Sequence, residues 1–151
     1  MADTISKAKR SQVMAAVRSK GNRETELRLV DILRAAGITG WRRHQPLPGR
    51  PDFVFRAERL AVFVDGCFWH GCPKHCRMPA ANGRYWQQKI SRNISRDRAS
   101  VRALKAAGWR VIRLWGHALG YPARVSQRII RELNASRRRC KHTRTSYEPA
   151  I

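Results

Sequence analysis

Pro51-Asp-Phe-Val-Phe-Arg-Ala-Glu-Arg-Leu60-Ala-Val-Phe-Val-Asp65-Gly-Cys-Phe-Trp-His70-Gly-Cys-Pro-Lys-His-Cys76 is the stretch on which the fold turns. Its first half holds two β-type runs, Asp52-Phe-Val-Phe55 and Leu60-Ala-Val-Phe-Val64. The four residues between them, Arg56 to Arg59, make the pair a hairpin. A hairpin of that length sets residue 52 opposite residue 63 or its neighbours, so Asp52 and the Val64-Asp65 step meet at the open end. The second half packs four potential metal ligands, Cys67, Cys72, His75 and Cys76, into ten residues, with His70 and the aromatics Phe68 and Trp69 among them.

Upstream, Pro46-Leu-Pro-Gly-Arg-Pro51 is a rigid loop, because three prolines and a glycine exclude regular structure. Trp41 to His44 reads as a short strand. Glu24 to about Ala36 reads as a helix with Leu27, Val30 and Leu33 inward, Asn22 as its cap and Gly37 as its stop. The first twenty residues set Val13, Met14 and Val17 among lysines and arginines. That spacing suits a short helix, either a frayed terminus or an arm that contacts DNA. Downstream, Arg84 to Ala107 reads as a long helix stopped by Gly108, Arg110 to Trp115 as the last strand, and 123–134 as a final helix. Ser136 to Arg144 reads as a basic segment, disordered without a partner. Strands interspersed with helices predict an α/β fold, a small mixed sheet with helices on both faces. The expected organisation is an arm over 1–20, one domain over 21–135 and a flexible tail over 136–151.

Lysine and arginine number 32 against 10 acids, a net charge of +22 over 151 residues. Such an excess repels itself in a compact chain and calls for a polyanion. Nucleic acid is the leading partner and an anionic membrane surface the rival. No apolar run approaches the roughly 18 residues that span a bilayer, and the N-terminus lacks the apolar core of a secretory signal. A cytoplasmic, nucleoid-associated protein is expected, and in a reducing compartment clustered cysteines and histidines favour zinc over disulfides.

Asp52 and a carbonyl at a sheet end are hard oxygen ligands suited to Mg²⁺. The alternative is that Asp52 caps its loop and Asp65 pairs with an arginine. His70 could relay a proton in phosphodiester hydrolysis, and Asp97 on the long helix could orient it. Cys67, Cys72 and His75, with Cys76 competing for the third place, need a fourth zinc ligand, and the candidates are His117 and Cys140. Phe68, Trp69 and Trp86 either pack beneath the loop or project to stack on bases.

Together, Pro-Gly-Arg-Pro-Asp52, Asp65-Gly-Cys-Phe-Trp-His-Gly-Cys-Pro-x-His75, Trp86-x2-Lys89-Ile-x2-Asn93-x2-Arg96-Asp97 and Gly108-Trp-Arg-Val-Ile-x-Leu-Trp115 resemble the very short patch repair (Vsr) mismatch endonucleases over roughly residues 1–135. The resemblance implies a restriction-endonuclease-like fold and Mg²⁺-dependent nicking of double-stranded DNA, 5′ to the thymine of a T·G mismatch; a monomer is expected. It implies that Asp52 and the Val64 carbonyl hold magnesium, that His70 is catalytic with Asp97 behind it, and that Glu26 reaches the metal's water shell. Cys67, Cys72 and His75 match zinc ligands. Phe68, Trp69 and Trp86 match aromatics that insert into DNA, and the helix around Met14 matches an arm against the opposite groove. The usual Trp-Glu-Cys after the last strand is Trp115-Gly-His117 here, which changes the type of the fourth zinc ligand. The second acid-x-Lys element of many restriction-like nucleases is absent. The rival functions are another restriction-like or structure-specific nuclease, and a non-catalytic, zinc-stabilised DNA-binding module.

Overall fold

The computed structural model describes residues 23–144, with side chains over 25–139. The N-terminal arm with Met14, the Asn22 cap, the Cys140 side chain and residues 145–151 lie outside the described residues. A π-helical turn, Arg23–Leu27, leads into helix α1, Arg28–Ala35. The strands are β1 (Trp41–Arg43), β2 (Phe53–Phe55), β3 (Leu60–Asp65) and β4 (Arg110–Trp115). Helix α2, Gly83–Ala106, links β3 to β4, and α3, Pro122–Arg144, follows a 3-10 turn, Gly116–Gly120.

The sheet order is β1-β2-β3-β4, antiparallel up to β3 and parallel between β3 and β4. Phe53 pairs with Val62 and Phe55 with Leu60, which is the hairpin register expected from its four-residue turn. Side chains alternate across a strand, so each strand feeds two layers. Phe53, Phe55, Leu60, Val62, Ile112 and Leu114 face α1 (Leu29, Val30, Leu33) and α3 (Val125, Ile129, Leu133). Ala61 and Phe63 face the other way, onto Leu104 of α2 with Leu47 and Val111. The central strand is thus apolar on both sides, as a strand covered by two layers must be. Truncating one of its fully buried residues, Leu60 for example, would cost about 2–5 kcal/mol.

The same alternation places the polar groups. Residues 61, 63 and 65 of β3, with 111 and 113 of β4, point to the α2 side, so Asp65 and Arg113 emerge there at the strand ends. Helices cover both faces, as expected. The final helix, however, runs to Arg144 rather than ending at Asn134, and this corrects the expectation of a flexible tail from 136. Buried Ser136 accepts from Arg110 Nη1 at 3.1 Å, and Arg137 pairs with Glu58 at 3.0 Å, so tertiary contacts carry the helix through a basic run.

Candidate active site

Asp52 follows Pro51 at the open end of the β2–β3 hairpin, where its Oδ2 accepts the Val64 N–H at 2.7 Å. Val64, whose carbonyl is the expected second oxygen ligand, lines the same cleft as Asp52. Burial pushes Asp52 up from 3.8 to about 6, the Val64 N–H opposes the rise, and the carboxylates of Glu26 and Asp65 add to it. A carboxylate crowded by two others is a place where a cation is stabilising.

Glu26 is 2% exposed. Its Oε1 accepts from Arg43 Nε at 2.9 Å and meets His44 Nε2 at 2.6 Å. His44 takes a left-handed backbone (φ 51°) at the end of β1.

His70 lies on the loop after β3, and its Nδ1 sits 2.6 Å from Asp97 Oδ2. With Nδ1 engaged, Nε2 is the nitrogen left to exchange a proton. Two contacts fix the loop against α2. Asn93 Nδ2 donates to the Trp69 carbonyl at 2.9 Å. Gly71, at φ 66°, comes so close that an added Cβ would meet Ile90 and Ile94 at 3.1 Å. Arg113 Nε donates to Asp65 Oδ2 at 2.6 Å, while Nη2 stands 3.1 Å from Asp97 Oδ2. Burial pulls Arg113 down, and Asp65 followed by Asp97 more than offset it. Asp65, His70 and Asp97 are grouped tightly enough to hold a metal, but the guanidinium of Arg113 already supplies that trio with its cation.

Asp52, Val64, His70 and Asp97 line one cleft of about 590 Å³, with Arg50 and Arg96 also on its wall. Gly49 closes one side by packing on α2, since a Cβ there would fall 2.6 Å from that of Ser100. Asp52, Val64, His70 and Asp97 therefore meet in one place, and Glu26 is near enough to act on Asp52. Sequence reasoning assigned no roles to Arg113, Asn93, Arg43 or His44. Of these only Asn93 carried a signal, its place in the Trp86–Asp97 motif, whereas Arg113 meets Asp65 through the parallel strand register, which sequence spacing does not give.

Beyond His70 the loop forms a second cluster. The ligand atoms of Cys67, Cys72, His75 and His117 all lie within 4.8 Å of one another. Cys67 Sγ is 3.2 Å from His117 Nδ1, and Cys72 Sγ is 3.7 Å from the Nδ1 atoms of both His75 and His117. A tetrahedral ion at about 2.3 Å from sulfur and about 2.0 Å from nitrogen keeps its ligands about 3.3–3.8 Å apart, so this donor set fits a closed four-ligand centre. Cys76 is not part of it. The Cys76 N–H bonds the Cys72 carbonyl, one turn on, and its thiol turns to the Phe68 carbonyl at 3.6 Å. Burial raises the Cys67 thiol, opposed by the backbone at His117 and Gly116. Partial burial first, then His75 and Lys74, lower His117 and so favour the neutral, ligating imidazole.

Phe68, Trp69 and Trp86 pack edge to face, with centroids 5.2–6.1 Å apart. Trp86 is buried beneath the other two, which stay half-exposed. Lys89 Nζ lies 5.3 Å from the Trp69 ring.

A carboxylate at a sheet end, sharing an arginine-walled cleft with a carboxylate-backed imidazole, defines a phosphodiester-cleaving nuclease in class. The model of the DNA mismatch endonuclease Vsr family matches residues 2–78, which take in Glu26, Asp52, Val64, His70 and three of the clustered cysteine and histidine ligands. DNA mismatch endonuclease Vsr of Escherichia coli K12 is 39% identical over 122 residues, covering 79% of this chain and 76% of that one. The nicking enzyme V.XorIIP of Xanthomonas oryzae pv. oryzae is 41% identical over 118 residues, 76% of this chain and 85% of its own. V.NaeI of Lentzea aerocolonigenes is 54% identical over 68 residues, which are 45% of this chain and 41% of that enzyme. The chain belongs to the Vsr family of DNA mismatch endonucleases. It is accordingly a Vsr-type DNA-nicking hydrolase with DNA as its partner, and its mixed α/β architecture fits the restriction-endonuclease-like fold. Among the described residues no helix is long and apolar enough to cross a membrane.

Proposed function

We propose that this chain cuts one strand of double-stranded DNA on the 5′ side of the thymine in a T·G mismatch, the lesion left when 5-methylcytosine deaminates. The observation that carries this reading is the single cleft shared by Asp52, hydrogen-bonded to the Val64 N–H, and the His70–Asp97 pair. Asp52 and the Val64 carbonyl would hold Mg²⁺, with Glu26 at its water shell. When bound, the ion polarises the scissile phosphoryl oxygen and lowers the pKa of a water molecule. Asp97 holds His70 Nδ1, so that Nε2 faces the reacting oxygens and moves the proton. Arg113, bonded to Asp65 and beside Asp97, holds both carboxylates in place behind His70. Cys67, Cys72, His75 and His117 would hold a structural zinc, because four protein ligands leave no open position. Phe68 and Trp69, half-exposed over buried Trp86, are the rings placed to enter a base step beside the mismatch.

End-labelled duplexes, matched or carrying T·G, test the reading in Mg²⁺. Nicking confined to the mismatched duplex, lost in Asp52→Ala while binding persists, supports it. A matched duplex cut as fast refutes the mismatch specificity, and no cut on any mismatch with Mg²⁺ or Mn²⁺ points to a binding module. The relatives named as type II nicking enzymes favour a second reading, a nicking enzyme tied to a particular sequence context. Varying the bases that flank the mismatch separates the two.

A further inference from the structure

A second basin of about 490 Å³ lies beyond the cysteine–histidine cluster, between that cluster and the start of α3. Lys74, Arg124, Arg128 and Tyr121 line it with His75 and His117, and no acidic residue does. Five of the described acids pair with other cations: Glu26 with Arg43, Asp65 and Asp97 with Arg113, Glu58 with Arg137, Glu132 with Arg110. Arg128 reaches only a backbone oxygen, that of Arg113, at 3.4 Å. Arg124 stacks 5.3 Å over the ring of Tyr121, which is 59% exposed. Neither arginine has a carboxylate partner among the described residues. Three unneutralised cations around one concavity repel one another, and an anion relieves that repulsion. The position names the anion's source. Arg113 sends its side chain into the catalytic cleft and its carbonyl to Arg128, so basin and cleft flank the end of one strand.

We infer that this basin is a second phosphate-binding subsite, where Lys74, Arg124 and Arg128 hold the DNA backbone as it runs past the cysteine–histidine loop. The inference needs DNA as the partner but not any particular mismatch, so matched duplex tests it apart from the nicking specificity. The experiment is fluorescence anisotropy of a labelled matched duplex across a salt series. Each phosphate that the protein no longer neutralises lowers the slope of log K against log salt by about 0.9. Arg124→Gln/Arg128→Gln should lower the slope by about 1.8 and weaken binding. Arg124→Lys/Arg128→Lys should keep the parental slope, and Lys74→Gln alone should lower it by about 0.9. The pair Arg34→Gln/Lys105→Gln makes the same charge change away from both concavities and should leave the slope alone. An unchanged slope in the Arg124/Arg128 and Lys74 variants overturns the assignment, and so does an equal fall in the remote pair.

Discussion

Replacing Asp52 by asparagine should stabilise the magnesium-free protein while abolishing its chemistry. In the folded chain the Asp52 carboxyl binds its proton at about 6 rather than 3.8, chiefly because burial penalises the charge. At about 1.4 kcal/mol per tenfold change in proton affinity, holding that carboxylate ionised costs up to about 3 kcal/mol. The folded state is the tighter proton binder, so wild-type stability falls as pH rises from 3.8 through about 6, and the whole penalty is present above that. Asparagine never ionises, and its side-chain oxygen still accepts the Val64 N–H. The advantage of Asp52→Asn should therefore be about 3 kcal/mol at pH 8, shrink as pH falls through 6 and vanish below 3.8. Urea unfolding at several pH values without added Mg²⁺ measures it. Adding Mg²⁺ should then close the gap, by about 2.7 kcal/mol at a hundred times its Kd, because only wild type binds the ion. A variant no more stable than wild type at pH 8, or one whose advantage ignores pH, would refute the reasoning.

Three further outcomes follow from the geometry. The purified protein should carry one zinc per chain by elemental analysis. Chelation should lower its melting temperature, His117→Ala should lose the metal and His117→Cys should keep it. Asp97→Asn should slow single-turnover nicking by about 10²–10⁴-fold with DNA affinity intact; an equal loss of affinity would give Asp97 a role in binding. Arg113→Met strips the cation from buried Asp65 and from Asp97, and calorimetry should show a loss of about 3–5 kcal/mol.

The local parts of this fold were legible in the sequence because each has a short-range cause. The hairpin register follows from four turn residues, the ends of α1 and α2 from Gly37 and Gly108, and β4 from the apolar run at Arg110–Trp115. The acid and histidine were legible from residue type and order. What spacing could not show depends on distant partners. Arg113 meets Asp65 from 48 positions away, and His117 meets Cys67 from 50. The choice of His75 over Cys76 rests on which side chain a single helical turn aims inward. The length of α3 depends on Arg110 and Glu58, which grip it from other elements. Charge composition pointed the other way there, to disorder.

Helix α2 carries Trp86 in its first turn, then Asn93, Asp97, Ser100 and Leu104 along its inner side. At 1.5 Å per residue the eleven steps from Trp86 to Asp97 span about 17 Å of unbroken backbone hydrogen bonding. A force that tilts the indole end swings the carboxylate end as well, as the two arms of a lever share one beam. On the proposed reading, the rings that would meet DNA rest on one end of this beam, and the carboxylate that holds His70 sits near the other.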